Sequence, residues 1–187
     1  ARRHHRPLTP ALGSAGARPG LLGALGGAIA VLTGLLRGRP ALLRSAPAYG
    51  WLVLAGAVLA TAAMERALIT RDFTVLFVAE NGSSRTPALY NVATLWSALE
   101  GSIILWALVL SGYLVAVLRK FRDRLSDPLV GWALVTIFLT AAFFFALMVG
   151  PADPFRSFDP PLGFDGPGPN PLLQNHILMA FHPPMLY

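Results

Sequence analysis

Two residues carry the chemistry that this sequence could perform. Glu100 lies inside the longest apolar run, 88–110, and His182 sits directly before Pro183 and Pro184. A carboxylate at bilayer depth costs about 2.5–3.5 kcal/mol when central and normally faces a bundle interior or a wet cavity, so Glu100 reads as a working group. Its plainer reading is a protonated carboxyl bonded to a neighbouring helix. A further point concerns depth: if the hydrocarbon covers the later part of this long run, Glu100 lies near the outer boundary. For His182 the chemistry is metal or heme-iron ligation through a neutral imidazole, with two prolines limiting the backbone freedom that blurs ligand geometry. From composition alone the plainer reading, a polar anchor at a membrane interface, is favoured. His176 lies six residues earlier, too far along a helix to share a face neatly with His182, and His4 and His5 fall in a basic arm.

A helical projection of the run places Ala93, Ser97, Glu100, Ala107 and Ser111 on one side, with Asn91, Leu95, Leu99, Ser102 and Trp106 away from it. Small residues beside Glu100 imply helix packing there, which makes Trp96 and Ser97 its companions as intramembrane candidates. Hydrophobic residues form 55% of the chain, charged residues 13%, and the mean hydropathy is +0.58. Such a composition indicates an all-α, polytopic transmembrane helix bundle. Cysteine is absent, which excludes disulfides, thiolate metal sites and covalent heme attachment to this chain through CxxCH. P-loop, dinucleotide, HExxH and GxSxG patterns are missing too. The net charge of +6 would suggest nucleic acid in a soluble protein, but the basic residues flank apolar runs and read as a topology signal, so no nucleic-acid partner is expected beside membrane lipid.

Residues 1–20 read as a flexible basic arm, and 21–150 as four spans over about Leu21–Leu36, Ala46–Met64, Ala88–Leu118 and Leu129–Val149. Gly23 and Gly27 sit at a spacing that permits close helix contact. Residues 72–79 read as a short extended or interfacial element followed by a turn. Residues 151–187 form an external Pro-rich segment, a short interfacial helix over Pro171–Phe181 capped by Asn170, and the start of a fifth span. Arg37, Arg39 and Arg44 in one turn, and the Arg119–Arg124 turn, place both on the cytoplasmic side. The segments 65–87 and 151–187 then face outward. Because the chain starts at Ala1 and stops as a new apolar stretch begins, it reads as a fragment of a larger protein.

Four blocks also look like a known family: 72–79, TrpSerAlaLeuGluGlySerIleIleLeuTrp at 96–106, AspProPhe at 153–155, and the AsnProLeuLeuGln and HisProProMetLeuTyr motifs within 170–187. In order and spacing they resemble the N-terminal part of CcmF, the large heme lyase subunit of bacterial cytochrome c maturation. The resemblance covers about Arg71–Tyr187. It implies a multi-pass protein of the bacterial cytoplasmic membrane that handles b-type heme for covalent attachment to CxxCH of apocytochrome c on the outer face. It also implies a heme lyase activity of the holocytochrome c synthase type, exercised within a complex and not by this stretch alone. The expected partners are the heme chaperone CcmE, a CcmH-type apocytochrome-binding subunit, apocytochrome c and the remaining part of the CcmF chain. By the same resemblance His182 is an axial ligand to heme iron, with Pro183, Pro184 and Tyr187 beside the cofactor. One departure is Leu99, where many members of the family have His before the GluGly pair. Two alternatives stand beside it: the related heme-handling protein of the other cytochrome c assembly system, and a proton-coupled polytopic transporter using Glu100.

Overall fold

The structure, a computed structural model, describes residues 8–168 together with Leu178 and Met185. Among these, four helices are long and apolar enough to cross a bilayer, Thr9–Leu36, Pro40–Thr70, Leu99–Lys120 and Pro128–Val149. The elements run α1 (Leu8–Leu36), α2 (Pro40–Arg44), α3 (Ala46–Thr70), α4 (Leu76–Asn81), α5 (Ala88–Ser97), α6 (Leu99–Lys120) and α7 (Pro128–Val149). Helix α1 packs against α3 and α7, while α6 packs against α3, α5 and α7. The fold is therefore the all-α membrane bundle that run length and hydropathy predict.

Small residues decide how closely these helices approach, since lipid is as apolar as leucine and association rests on packing. A Cβ on Gly16 would sit 2.7 Å from the Gly56 carbonyl oxygen and the Ala60 nitrogen, and one on Gly56 would sit 2.8 Å from the Gly20 Cα. Backbone thus lies on backbone where α1 crosses α3. The same packing corrects the reading of residues 8–20 as a flexible arm. Gly13 lies against the Phe155 ring and Gly20 against the Phe145 ring, and Ala17 is buried. A glycine-rich stretch that looks unstructured by composition is the interface half of a helix, which continues through Pro19. Gly23 and Gly27 do not form one contact face: Gly23 meets Leu52 and Val53 of α3, whereas Gly27 meets Phe138 of α7.

A second correction concerns the run after Ala88, expected as one helix to Leu118. It breaks at Ala98, whose backbone is extended at φ −127° and ψ 160°. The break lets the chain fold back tightly, because a side chain on Gly101 would overlap the Leu95 carbonyl oxygen. Glycine after Glu100 is thus required by the approach of α5 to α6. The helix α7 begins as expected: Asp127 accepts a hydrogen bond from the Leu129 N–H at 2.9 Å, and Pro128 occupies the first turn.

At one end of the bundle lie Arg37, Arg39, Arg44 and the Arg119–Arg124 turn, where the Arg119 guanidinium stands 4.7 Å over the Trp51 ring. At the other end two non-helical stretches close on each other. The Leu76 N–H donates to the Arg156 carbonyl and the Phe158 N–H to the Thr74 carbonyl, both at 2.8 Å, so Val75 and Ser157 form an antiparallel bridge. The extended reading of 72–79 holds only at this bridge, because α4 starts one residue later. Further along, the Asp165 carboxylate accepts from the Ser84 N–H at 2.7 Å, the Ser84 hydroxyl at 2.6 Å and the Ser83 hydroxyl at 3.4 Å. Gly166 lies directly on the Ala79 and Gly82 carbonyls, and the Gly168 N–H donates to Gly82 at 3.0 Å. Asp72 ties this lobe to the start of α1: it accepts from Thr9 Oγ1 at 2.5 Å and Thr74 Oγ1 at 2.6 Å, while Arg66 donates to Thr9 at 3.1 Å. Residues 150–168 contain no helix, as their proline content predicts.

Two outcomes follow from these contacts. Gly56→Ala is expected to cost about 1–3 kcal/mol, because the new methyl meets backbone rather than a movable side-chain end. Gly112→Ala, where an added methyl would meet nothing within 4 Å, is expected to be neutral or mildly favourable by thermal unfolding in detergent. The Ser84 and Ser83 hydrogen bonds hold the Asp165 carboxyl below its ordinary value of 3.8. A depressed folded value means that its contribution is complete above 3.8 and is lost as pH falls through the lower value. Acidification below pH 3.8, or Asp165→Ala at neutral pH, should lower the protection of the Ser84 and Gly168 amides relative to their intrinsic exchange rates; unchanged protection would contradict the clasp.

Candidate functional site

The outer residues of the site are positioned by the break and the clasp together. Ending α5 at Ser97 places Glu100 in the first turn of α6, where a carboxylate is favoured by the helix dipole. It is partly exposed and stands at the start of the span-length helix Leu99–Lys120, in keeping with the boundary placement that the sequence also allows. The projected face dissolves for the same reason, because Ala93 and Ser97 belong to one helix and Glu100, Ala107 and Ser111 to another. Ser102, expected away from the packed side, is buried and donates to the Leu99 carbonyl at 2.7 Å. The Ser97 hydroxyl is likewise committed, donating to the Thr94 carbonyl at 3.1 Å. Trp96 is half-buried and packs on the apolar core, and Trp106 stacks on Phe144 with centroids 6.1 Å apart.

What Glu100 does face is a cleft of about 130 Å³ beneath the clasped lobe, lined also by Phe77, Glu80, Ala152, Asp153 and Arg156. A larger cavity of about 510 Å³ opens beside it along α1, lined by Ser14, Arg18, Asp153, Phe155 and Arg156. Asp153 and Arg156 border both, so carboxylate and guanidinium groups converge at the lobe end of the bundle. The sequence reading missed Glu80, Arg156 and Arg18. Only the AspProPhe block at 153–155 pointed near them, and Arg18 was hidden in the supposed arm. It also missed Glu65, placed in a polar loop but lying within α3, with Oε2 buried and no hydrogen-bond partner among the described residues. With Glu100 at a helix start, the proton-carrier alternative loses the deep placement on which it rested.

The three consecutive phenylalanines divide between the outside of the bundle and its core: Phe143 is exposed, Phe144 is half-buried and Phe145 is fully buried. The residues His176, His182, Pro183, Pro184 and Tyr187, and all of the expected helix at 171–181 except Leu178, lie outside the described residues. Among the described residues no group of three or more His, Cys, Asp or Glu side chains is placed to hold a metal. They contribute an aromatic and arginine-lined cavity but no imidazole, since His4, His5, His176 and His182 all lie outside the described residues.

No protein-family model matches the chain. Individual relatives do. CcmF of Escherichia coli (strain K12), a cytochrome c-type biogenesis protein, is 34% identical over 143 residues, 76% of this chain and 22% of that protein. CcmF of Pseudomonas fluorescens is 35% identical over 137 residues, 73% of this chain and 20% of that protein. The probable cytochrome c-type biogenesis protein NrfE of Escherichia coli (strain K12) is 33% identical over 130 residues, 70% of this chain and 23% of that protein. Among solved structures, that of the cytochrome c heme lyase CcmF superposes with a TM-score of 0.82 at 33% identity, covering 100% of this chain and 29% of that one. The chain spans only 20–23% of the length of these curated relatives. A shared order of helices with a third of the residues identical extends the resemblance of the four sequence blocks to the whole bundle, and the chain belongs to the CcmF family of cytochrome c-type biogenesis proteins.

Proposed function

We propose that this chain takes part in heme handling for cytochrome c maturation, as part of a heme lyase that delivers heme for covalent attachment to CxxCH of apocytochrome c. The observation that carries the reading is the clasped lobe at the end of the bundle opposite the basic turns. Basic residues favour the cytoplasmic side, which turns the lobe to the outer face of a bacterial cytoplasmic membrane. That is where apocytochrome c is presented and where residues beyond 168 leave the clasp.

Each group then has a role. The imidazole of His182 binds the iron of b-type heme axially, and Pro183 and Pro184 limit its backbone. Tyr187 and the aromatic residues of the lobe border the heme, while Arg18 and Arg156 supply positive charge at the mouth of the larger cavity. The lobe is held in place by Asp72 and Asp165, so the described chain reaches Gly168 in a fixed position. Heme arrives from a heme chaperone of the CcmE type, and apocytochrome c is presented by a CcmH-type subunit. Further parts of the CcmF chain complete the site.

Orientation is tested first, with a cysteine placed at Ser126 or Ser157 in the full-length protein, a chain otherwise free of cysteine over these residues. An impermeant thiol reagent should label Ser157→Cys and spare Ser126→Cys in intact cells; the reverse pattern would overturn the sidedness. For the ligand, His182→Ala should abolish cytochrome c yield at normal membrane levels of the protein and alter the visible spectrum of trapped heme. Added imidazole should partly restore the yield. An unchanged spectrum with normal yield would overturn the assignment.

A further inference from the structure

At the basic end, an apolar groove of about 260 Å³ runs between α6 and α7, walled by Val117, Phe121, Leu129 and Val130. Its mouth carries Arg124 and Asp127, and Leu129 stands 78% exposed beside it. Lipid-facing leucine is ordinary in a membrane helix; less so is a groove that ends on Arg124 and Asp127 and has the Lys120 ammonium 5.7 Å over the Phe121 ring of its wall. Within Arg119–Asp127 the cations are Arg119, Lys120, Arg122 and Arg124, against the carboxylates Asp123 and Asp127. Arg37, Arg39 and Arg44 lie at the same end of the bundle.

The pairing within the turn leaves donors over. Arg124 Nη2 bonds Asp127 at 2.7 Å with the guanidinium side chain still 64% exposed, so its other N–H groups remain able to meet a second anion. The Arg122–Asp123 contact is longer, 3.5 Å, between side chains 79% and 86% exposed, and it yields readily to a stronger ligand. Asp127 itself is committed to capping α7 through the Leu129 N–H. Apolar walls below and an excess of cations above match one molecule already present in the leaflet.

We propose that this groove binds an anionic phospholipid, with one acyl chain between α6 and α7 and the phosphate held by Arg124 with Lys120 and Arg122. Clusters of cations at helix ends attract anionic headgroups at the membrane surface, and the groove adds a fixed place for the chain. The site is distinct from the lobe end and independent of any role in heme handling.

The test uses the full-length protein in bilayers of phosphatidylcholine with or without phosphatidylglycerol, followed by native mass spectrometry of retained lipid. One phosphatidylglycerol should be retained per protein in preference to phosphatidylcholine. Two variants separate the parts. Lys120→Gln combined with Arg124→Gln removes charge while leaving an amide at the second position able to bond Asp127, and Ala133→Trp fills the groove while leaving the charges. Each should lower retention roughly tenfold or more at unchanged helix content and thermal midpoint. Equal retention of the two lipids would overturn the proposal, as would undiminished phosphatidylglycerol in Ala133→Trp, which would mean surface charge alone. A groove covered by another helix of the protein would show no retained lipid and would overturn it too.

Discussion

Among the described residues, the pairing of 74–76 with 156–158 joins two non-helical stretches far apart in sequence through their backbones. Peptide groups at or near a bilayer must find partners, and unpaired ones cost free energy comparable to a lost hydrogen bond. Proline keeps 150–168 from becoming helix, and Val75 is extended after the turn at Thr74, so each stretch supplies what the other lacks. The Asp165 contacts to Ser83 and Ser84 and the close approach of Gly166 to Ala79 and Gly82 then continue the same closure. The pairing and the Asp165 and Gly168 contacts together fix residues 156–168 on the bundle.

The bundle beneath accommodates that lobe through small residues. Gly16, Gly20 and Gly56 bring α1 against α3 at backbone distance, which sets Thr9 where it can reach Asp72. Gly13 receives the Phe155 ring, so the same face of α1 also touches the Pro-rich segment. On the opposite side the turn at Ala98 with Gly101 shortens the third span and brings Glu100 to the cleft below Asp153 and Arg156. Packing inside the membrane and hydrogen bonding outside it are therefore coupled through α1 and α6.

How much of this was legible in the sequence depends on whether a feature is local. The four spans are local, and run length with hydropathy locates them; the span expected over Leu129–Val149 is α7 to within a residue, and Asp127 and Pro128 fix its start. The break at Ala98 was invisible, since the sequence Ser97-Ala98-Leu99 holds no proline or glycine and only the Gly101 contact with Leu95 reveals the need for it. Residues 8–20 were misread because glycine counts as disorder by composition but as interface opposite another helix. Asp165 and Ser84 lie 81 residues apart, so nothing in either neighbourhood announces their hydrogen bonds. Glu100 and its GluGly context are legible as a pair, whereas Arg156 and Glu80 become part of the site only through the clasp. The motif containing His182 was recognisable by resemblance, whereas composition alone favoured a plain anchor.

The pairing of Val75 with Ser157 is open to direct measurement. Flanking hydrogen bonds at Leu76–Arg156 and Thr74–Phe158 make it the closely spaced, non-hydrogen-bonded kind of antiparallel pair, with Cα atoms about 4.5 Å apart, within reach of a disulfide. With Val75→Cys and Ser157→Cys introduced together into full-length protein in native membranes, mild oxidation should protect both thiols from a mass-tagging maleimide until reductant is added. Each single variant should stay reactive after denaturation. If both thiols of the double variant remain free under oxidation, the two segments do not pair and the clasped lobe is wrong.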